Sequence, residues 1–453
     1  MRDLAFAVVM LGLLPLAAAR PFAGVLLMSW ISFMNPHQTL YGFALGVPWA
    51  MMAFCATVLG CFVAREPRQP AVNAVTVLLL LFLVCITVTS ITAIVPPERV
   101  WFKWESVMKM VVGVLLTACL LTSRDRIHAL VWLMVVSIGY FGVKGGLFTI
   151  VTGGADIVMG PPNSPIGDRN QLSVALLAGI PLMNYLRMHS RHRIVRQGLI
   201  AAMLLTLFAV LGSQSRGALV GLAVTTLFLW FRSPHKIVSG MAIAACVAVA
   251  VSFMPDSWWQ RMHTVETFQE DGSAMGRVLI WKASLQMGLA LPWTGPGFNS
   301  MYTQSVLNEL APGTRALAAH SIWLEVIGEH GFPTFLVWLG IIVAGVVYSL
   351  RIARLARSNP ELQWAGDLAR MSQVSIVAYA SAGSFVSLSY WDLFWAILVV
   401  LAATYHIAAS SLRQPMTAAS RQASVAGSGW KPQAAAAAAR GQGLAAARQA
   451  RTT

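Results

Sequence analysis

Apolar residues in this chain fall into long blocks that short polar connections separate. Four of the clearest blocks cover residues 71–95, 127–151, 199–211 and 321–350, and each is nearly free of charge. A helix needs about 20 apolar residues to cross the hydrocarbon layer of a membrane, whereas a barrel strand needs about ten residues of alternating character. The continuous blocks therefore predict transmembrane helices.

Followed along the whole chain, the pattern predicts an all-α, polytopic transmembrane helix bundle with 12–13 spans. The spans are predicted at residues 4–19, 21–34, 41–64, 71–95, 105–122, 127–151, 170–187, 196–213, 215–231, 235–254, 321–349, 372–388 and 392–411. The first two are short, so they form either one tight hairpin or a crossing beside a re-entrant segment.

Long polar stretches divide this bundle into four parts. N-terminal spans occupy residues 1–254, a large polar loop occupies 255–320, and C-terminal spans occupy 321–411. Residues 412–453 contain Ala, Gln, Ser and Arg with almost no large apolar residue, which predicts a disordered tail.

The charge distribution predicts the orientation of the spans, because short cytoplasmic connections are enriched in Lys and Arg. Only 11% of the residues are charged, too few to cover a water-soluble domain of this length. One alternate set of connections contains most of the basic residues, namely Arg20, Arg65, Arg68, Arg124, Arg126, Arg187, Arg191, Arg193, Arg196, Arg232, Lys236, Arg351, Arg354, Arg357 and Arg370. This set and the C-terminus are predicted to be cytoplasmic, where the arginines contact membrane lipids. The loops 152–169 and 255–320 then lie on the opposite side.

The net charge of +15 does not indicate nucleic-acid binding, because it is spread among short connections between apolar spans. The sequence contains no DxD, HxH or HExxH pattern, which predicts that no metal is used. It also lacks a Walker A pattern and a GxGxxG turn, so we expect no nucleotide cofactor.

Several basic residues on the non-cytoplasmic side are not explained by orientation. Charges in or near a bilayer are costly and indicate function. The unexplained residues are Lys103, Lys109, Lys144, Arg169, Arg216 and Arg277. An anionic ligand such as a lipid pyrophosphate would account for them, since arginine binds phosphate oxygens in a bidentate manner. The alternative is that each pairs with an acid such as Asp156, Asp168 or Glu266.

The segment that enters the span 321–349 contains the sharpest local pattern. His320 stands where the polar loop meets the apolar helix, and Glu325 and Glu329 follow on one helical face. A neutral histidine can take a proton from a hydroxyl group or orient it. The alternative for His320 is a structural role at the start of the helix.

Residues 213–218, which read SQSRGA, resemble the SRG signature of the O-antigen ligase and polymerase superfamily. Gly276, Arg277 and Trp281, followed by Pro292 and residues 295–298 (GPGF), resemble its long periplasmic loop. Residues 320–321 (HS) and 329–331 (EHG) resemble its His-containing segment, so that the likeness covers about residues 190–345.

The N-terminal part is similar to a narrower branch, the O-glycosylation ligases found with exosortase A systems. The similar segments are 1–4 (MRDL), 20–22 (RPF), 30–37 (WISFMNPH), 140–146 (YFGVKGG) and 168–170 (DRN).

The superfamily resemblance implies a GT-C-like, metal-independent, inverting glycosyltransferase of the bacterial inner membrane without a cofactor. It would move a glycan from undecaprenyl pyrophosphate to a periplasmic acceptor, a protein or another molecule. The resemblance implies that His320 assists the acceptor hydroxyl and that Arg216 and Arg277, with Arg169, clamp the pyrophosphate. The predicted site is His320 as catalytic residue with substrate-binding Arg216, Arg277, Arg169, Lys144, Lys103 and Glu329.

Two other functions remain open at this point. A polymerase of the same superfamily would join repeat units on the lipid carrier. A transporter or flippase for a lipid-linked glycan would perform no covalent chemistry, but it is disfavoured because the ionisable residues lie near one face and not at the midplane.

Overall fold

A computed structural model of the protein describes residues 1–68, 71–238 and 272–427, together with residues 240, 241, 244, 245, 248, 255, 256, 258 and 259. Helices dominate these residues, and no strand occurs among them. The predicted span 235–254 and Glu266 lie largely or entirely outside the described residues.

The α-helices are numbered here in chain order. They are α1 Arg2–Ala19, α2 Pro21–Met34, α3 Trp49–Val63, α4 Ala74–Ile91, α5 Pro97–Leu120, α6 Arg124–Val151, α7 Arg169–His189, α8 Arg193–Gly212, α9 Arg216–Arg232, α10 Gly272–Ala290, α11 Gln304–Leu310, α12 Ile322–Arg357, α13 Gln363–Gly383 and α14 Asp392–Gly427. Short 3₁₀ helices lie at Pro36–Thr39, Phe43–Leu45, Ser300–Tyr302 and Pro360–Leu362.

Each predicted span that the structure describes overlaps a helix, which confirms the all-α membrane bundle. The predicted bounds are wrong at residues 41–48 and 384–388, which lie outside the α-helices. Six of these helices are long and apolar enough to cross a membrane, namely α1, α4, α6, α8, α12 and the first part of α14. Helices α2 and α3 are apolar but shorter. The first two predicted spans are separate helices, because the backbone at Arg20 is extended and ends α1.

Side chains that accept backbone N–H groups define several helix starts. The amide oxygen of Asn73 accepts the N–H groups of Val75 and Thr76 at the start of α4. Asp168 caps α7 and Ser215 caps α9 in the same manner. Such caps satisfy N–H groups that have no partner inside the helix.

Glycines allow α6 and α8 to pack at short range. A Cβ atom at Gly146 would lie 2.0 Å from the carbonyl oxygen of Leu205, and one at Gly142 would lie 2.2 Å from Oγ1 of Thr206. Small residues let helix backbones approach closely in membranes. The glycines of the segment 140–146 therefore have a packing role.

Helix α12 is interrupted at Gly331, where φ is +71° and ψ is −173°. Residue 333 is proline, so the carbonyl group of Glu329 has no helical N–H partner four residues later. The N–H of Gly297 donates to that carbonyl at 2.9 Å, and the N–H of Phe332 donates to the carbonyl of Pro292 at 2.9 Å.

The turn at residues 291–299 fills this interruption. The hydroxyl of Ser300 donates to the carbonyl of Gly328 at 3.1 Å, which replaces the helical partner that Phe332 would have supplied. Phe298 is fully buried, and its ring lies 4.2 Å from that of His330, centre to centre. The long segment, residues 255–320, is thus seated on α12 through its described part.

Residues Met1–Ile407 form one compact unit, and the described residues from Ala408 to Gly427 belong to a second one. Helix α14 continues to Gly427, beyond the predicted boundary at residue 412. The rest of the predicted tail lies outside the described residues.

Replacing Gly295 by Ala tests how closely the turn fits α12. The added Cβ would lie 2.5 Å from the carbonyl oxygen of Glu329, at a backbone φ of +59°. Gly313→Ala is the matched control, because φ is also positive there (+83°) but no atom lies within 4 Å of the added Cβ. We expect about 1–2 kcal/mol of destabilisation from the left-handed backbone in both variants and a clearly larger loss in Gly295→Ala. Thermal unfolding in detergent measures both, and equal losses would contradict the close fit.

Candidate functional site

Two predicted arginines begin helices that are tied together. Arg169 is the first residue of α7 and Arg216 is the first residue of α9. The hydroxyl of Ser215 donates to Oδ1 of Asn170 at 2.7 Å, so the two helix starts are adjacent. Helix N-termini carry partial positive charge and bind anions. Their dipoles thus add to the charge of the two guanidinium groups.

His320 is linked to the start of α7 through Ser387. Its backbone is left-handed, with φ of +47°, and its N–H donates to Oγ of Ser387 at 2.9 Å. Burial lowers the pKa of the His320 imidazole, and the charge of Arg277 lowers it further, whereas Asp168 acts in the opposite direction. His320, Arg277 and the start of α7 therefore share one electrostatic environment, in which a neutral imidazole is favoured.

Ser387 joins three parts of this site, although sequence reasoning did not identify it. Its carbonyl accepts Nε2 of Gln171 at 3.0 Å, and Gln171 follows Arg169 by two residues on α7. Its hydroxyl is hydrogen-bonded to the side chain of Tyr302. Burial and the nearby carboxylates raise the pKa of the Tyr302 phenol, so this group remains protonated. Ser387 thereby fixes the position of the His320 backbone relative to α7 and to the long segment.

Ser387 belongs to the connecting segment, residues 384–391, which runs from α13 to α14. The apolar pattern placed its first half inside the predicted span 372–388, but α13 already ends at Gly383. The signal that could have revealed it is the run of serines and aromatic residues, SFVSLSYW, between two apolar blocks. The hydroxyl of Ser32 on α2 also donates to Asp392, the first residue of α14, directly after this segment.

Glu325 and Glu329 lie inside the protein and bind this same connecting segment. Glu325 accepts the backbone N–H of Ser389 at 3.1 Å and also the hydroxyl of that serine. Oε2 of Glu329 accepts the hydroxyl of Tyr390, and Oε1 accepts the N–H of Asn299, both at 2.8 Å. Glu329 is only 1% exposed. Both of its oxygens thus bind protein donors, and this geometry favours a positioning role over the predicted contact with substrate.

The predicted lysines separate into different environments. Nζ of Lys103 lies 5.7 Å from the ring centre of Tyr390, and its charge acts on both Glu325 and Glu329. Lys144 is exposed on α6, and in the part of the chain that the structure describes no hydrogen bond or ion pair joins it to His320. Lys109 forms an exposed ion pair with Glu105 one turn earlier, which explains it without a ligand.

The structure therefore links His320 to Arg277 and to the start of α7 at Arg169, and the adjoining start of α9 carries Arg216. The charge of Lys103 acts instead on the buried carboxylates. Guanidinium groups and helix N-termini can bind a multiply charged anion. An imidazole at the edge of that anion site can accept a proton from a hydroxyl. Among the described residues, no group of three or more His, Cys, Asp or Glu side chains could hold a metal ion.

Glu329→Gln tests the positioning role of the buried carboxylate. The amide keeps one acceptor oxygen but places an NH₂ group against the donor of Asn299 or Tyr390. An unsatisfied buried pair costs about 1–3 kcal/mol, so we expect a lower unfolding temperature in detergent and faster proteolysis within residues 272–320. Glu105→Gln is the control, because an exposed ion pair contributes about 0–1 kcal/mol. Equal stability of the two variants would contradict the role of Glu329 as an anchor.

Comparison with known families places two matches along the chain. Residues 201–339 match the family described as O-antigen ligase, and residues 1–191 match a family of unknown function (DUF5935). No curated protein matches the chain. The O-antigen ligase match runs from α8 into α12 and includes Arg216, Arg277, His320 and Glu329. It supports the superfamily that the sequence motifs indicated over residues 190–345.

Proposed function

We propose that this protein is a membrane glycosyltransferase of the O-antigen ligase type. It transfers a glycan from undecaprenyl pyrophosphate to an acceptor hydroxyl at the periplasmic face of the inner membrane. The family match over residues 201–339 supports an enzyme of this class. The observation that carries the proposal is that Arg169 and Arg216 begin adjoining helices and that Arg277 and Asp168, the residue before Arg169, both act on the charge of His320.

The arginine cluster suits the pyrophosphate of the donor. Arg169 and Arg216 begin adjacent helices, and Arg277 is close enough to His320 for its charge to lower the pKa of the imidazole. An anion that bridges neighbouring guanidinium groups is bound more strongly, because it offsets the repulsion between their positive charges. A pyrophosphate supplies several oxygens for bidentate arginine contacts.

The reaction then needs only groups that this site contains. The acceptor oxygen attacks the anomeric carbon of the donor sugar while His320 takes the hydroxyl proton. The bond between that carbon and the phosphate oxygen breaks, and its electron pair leaves with the lipid pyrophosphate. Guanidinium groups fixed around the leaving group stabilise the charge that develops on it. Attack opposite the leaving group inverts the anomeric configuration.

Incubation of the purified protein with lipid-linked repeat units alone separates ligase from polymerase. Growth of the chain without another acceptor would identify a polymerase and contradict the ligase proposal. Glycan movement across proteoliposomes without a covalent product would instead identify a transporter.

His320→Ala and Arg216→Ala test the proposed roles directly. General-base catalysis contributes about 10²–10⁴-fold, so we expect His320→Ala to reduce glycan transfer by at least ~10²-fold. A lost donor to the leaving group costs about 10²–10³-fold, and we expect a loss of this size in Arg216→Ala. Transfer to the acceptor, followed by gel mobility and mass spectrometry, measures both. Lys109→Ala, which removes an exposed and paired cation, should retain transfer. Normal rates in both site variants would contradict the assignment.

The pH dependence of transfer tests the electrostatics of His320. The neutral imidazole acts as base, and its lowered pKa keeps it neutral to below the ordinary histidine value of about 6.5. Arg277→Gln removes a charge that lowers this pKa. The acid limb of the pH profile, where the transfer rate falls toward low pH, should therefore move to higher pH. Asp168→Asn removes a charge that raises it, so the limb should move to lower pH, while Asn still caps α7.

Both limbs are read relative to each variant's own plateau rate, since Arg277 is also expected to bind substrate. Movement of the two limbs in the same direction, or no movement in either variant, would exclude His320 as the group that titrates.

A further inference from the structure

A second polar cleft lies at the other end of α7 from Arg169. Its volume is about 290 Å³, and it is formed by α6, α7, the turn at residues 190–192 and the start of α8. The residues that line it are His128, Trp132, Leu186, His189, Ser190, Arg191, His192 and Val195. Helix α7 has 21 residues and is thus about 30 Å long. The cleft is therefore separate from the arginine cluster, and it does not depend on the proposed function.

The polar side chains of the cleft suit an anion. They are three imidazoles, one guanidinium group and one hydroxyl, and no carboxylate lines the cleft. Two carboxylates are nearby. Asp125 on α6 acts on His128, as does the opposite charge of Arg124, and Oδ2 of Asp367 on α13 lies 3.1 Å from Nε2 of His189. Asp367 also binds Arg370. Its charge is thus engaged by two partners of its own.

Hydrogen bonds fix the protonation of two of the imidazoles. Tyr185 is fully buried, and its hydroxyl lies 2.5 Å from Nε2 of His128. A buried hydroxyl donates where it can, so the proton of the neutral His128 ring is on Nδ1. The carboxylate of Asp367 likewise holds the ring of His189 through Nε2. The rings are held in fixed orientations before any ligand arrives.

The start of α8 adds a second source of positive potential. His192 is the N-cap residue of α8, and its side chain forms no capping hydrogen bond. The first N–H groups of a helix have no partner inside it and bind phosphate groups in many proteins. Here they follow directly after Arg191 and His192, which both line the cleft.

The rest of the lining is apolar. Trp132, Leu186 and Val195 lie beside the polar groups. Tryptophan is frequent where a membrane protein meets the lipid headgroups. The volume is at the lower end of the range for ligand pockets, about 300–1,000 Å³, which suits a headgroup and not a whole lipid.

We propose that this cleft binds a phosphate group, carried by an anionic lipid of the surrounding membrane or by free phosphate. The imidazoles, Arg191 and the N-terminus of α8 hold the phosphate oxygens. The apolar residues contact the part of a lipid nearest its headgroup.

Native mass spectrometry of the full-length protein in detergent tests the proposal, with phosphatidic acid, phosphatidylcholine and inorganic phosphate as probes. We expect one molecule of phosphatidic acid to bind at least tenfold more tightly than phosphatidylcholine. Arg191→Gln should weaken this binding at least tenfold. Arg196→Gln is the matched control, because it removes an equally exposed arginine from the first turn of α8 that does not line the cleft.

Competition with inorganic phosphate distinguishes an anionic lipid from free phosphate as the ligand. Displacement of phosphatidic acid by millimolar phosphate would mean that the phosphate group alone is recognised. Binding that resists this competition would identify the lipid as the ligand. Equal affinity for both lipids with no binding of phosphate, or equal effects of Arg191→Gln and Arg196→Gln, would overturn the proposal. None of these readouts involves glycan transfer, so failure of the proposed function would leave them unaffected.

Discussion

The interruption of α12 is the constraint on which the rest of this structure depends. Proline at position 333 removes the N–H group that the carbonyl of Glu329 would need, and Gly331 turns the backbone out of the helix. Unpaired backbone groups are costly in a membrane, so another segment must supply partners. The turn at residues 291–299 does so through Gly297 and Pro292. The long segment is therefore held in place by backbone hydrogen bonds to a membrane-spanning helix.

The buried carboxylates extend this anchoring to the residues around His320. Glu329 binds the turn through Asn299 and the connecting segment through Tyr390. Glu325 binds the connecting segment at Ser389, two residues after Ser387. The hydroxyl oxygen of Ser387 accepts a hydrogen bond from the backbone N–H of His320. His320, Glu325 and Glu329 lie within ten residues of one another in the sequence, yet they have different roles. The acids hold the surrounding segments in place, and the pKa of the histidine is lowered by burial and by Arg277 and raised by Asp168.

Much of the fold follows from local sequence because a membrane span needs a continuous apolar helix. The blocks that became α4, α6, α8 and α12 were visible as such. The arginines at the starts of α7 and α9 also stood out, since the positive-inside rule does not account for charges on the side predicted to be non-cytoplasmic. Ser387 and Tyr302 did not stand out. Serine and tyrosine are common in connections, and only their contacts with His320 and with each other give them a role.

The sequence by itself determined the class of the protein, the helical segments and the candidate chemistry of an arginine and histidine site. These depend on composition and on spacing along one chain, which local patterns express. Tertiary structure decided which charges meet. It brought Arg277 to His320, enclosed Glu329 between Asn299 and Tyr390, and left Lys144 on an exposed helix face. The physical reason is that a charge acts over a few ångströms of space, whatever the number of residues between it and its partner.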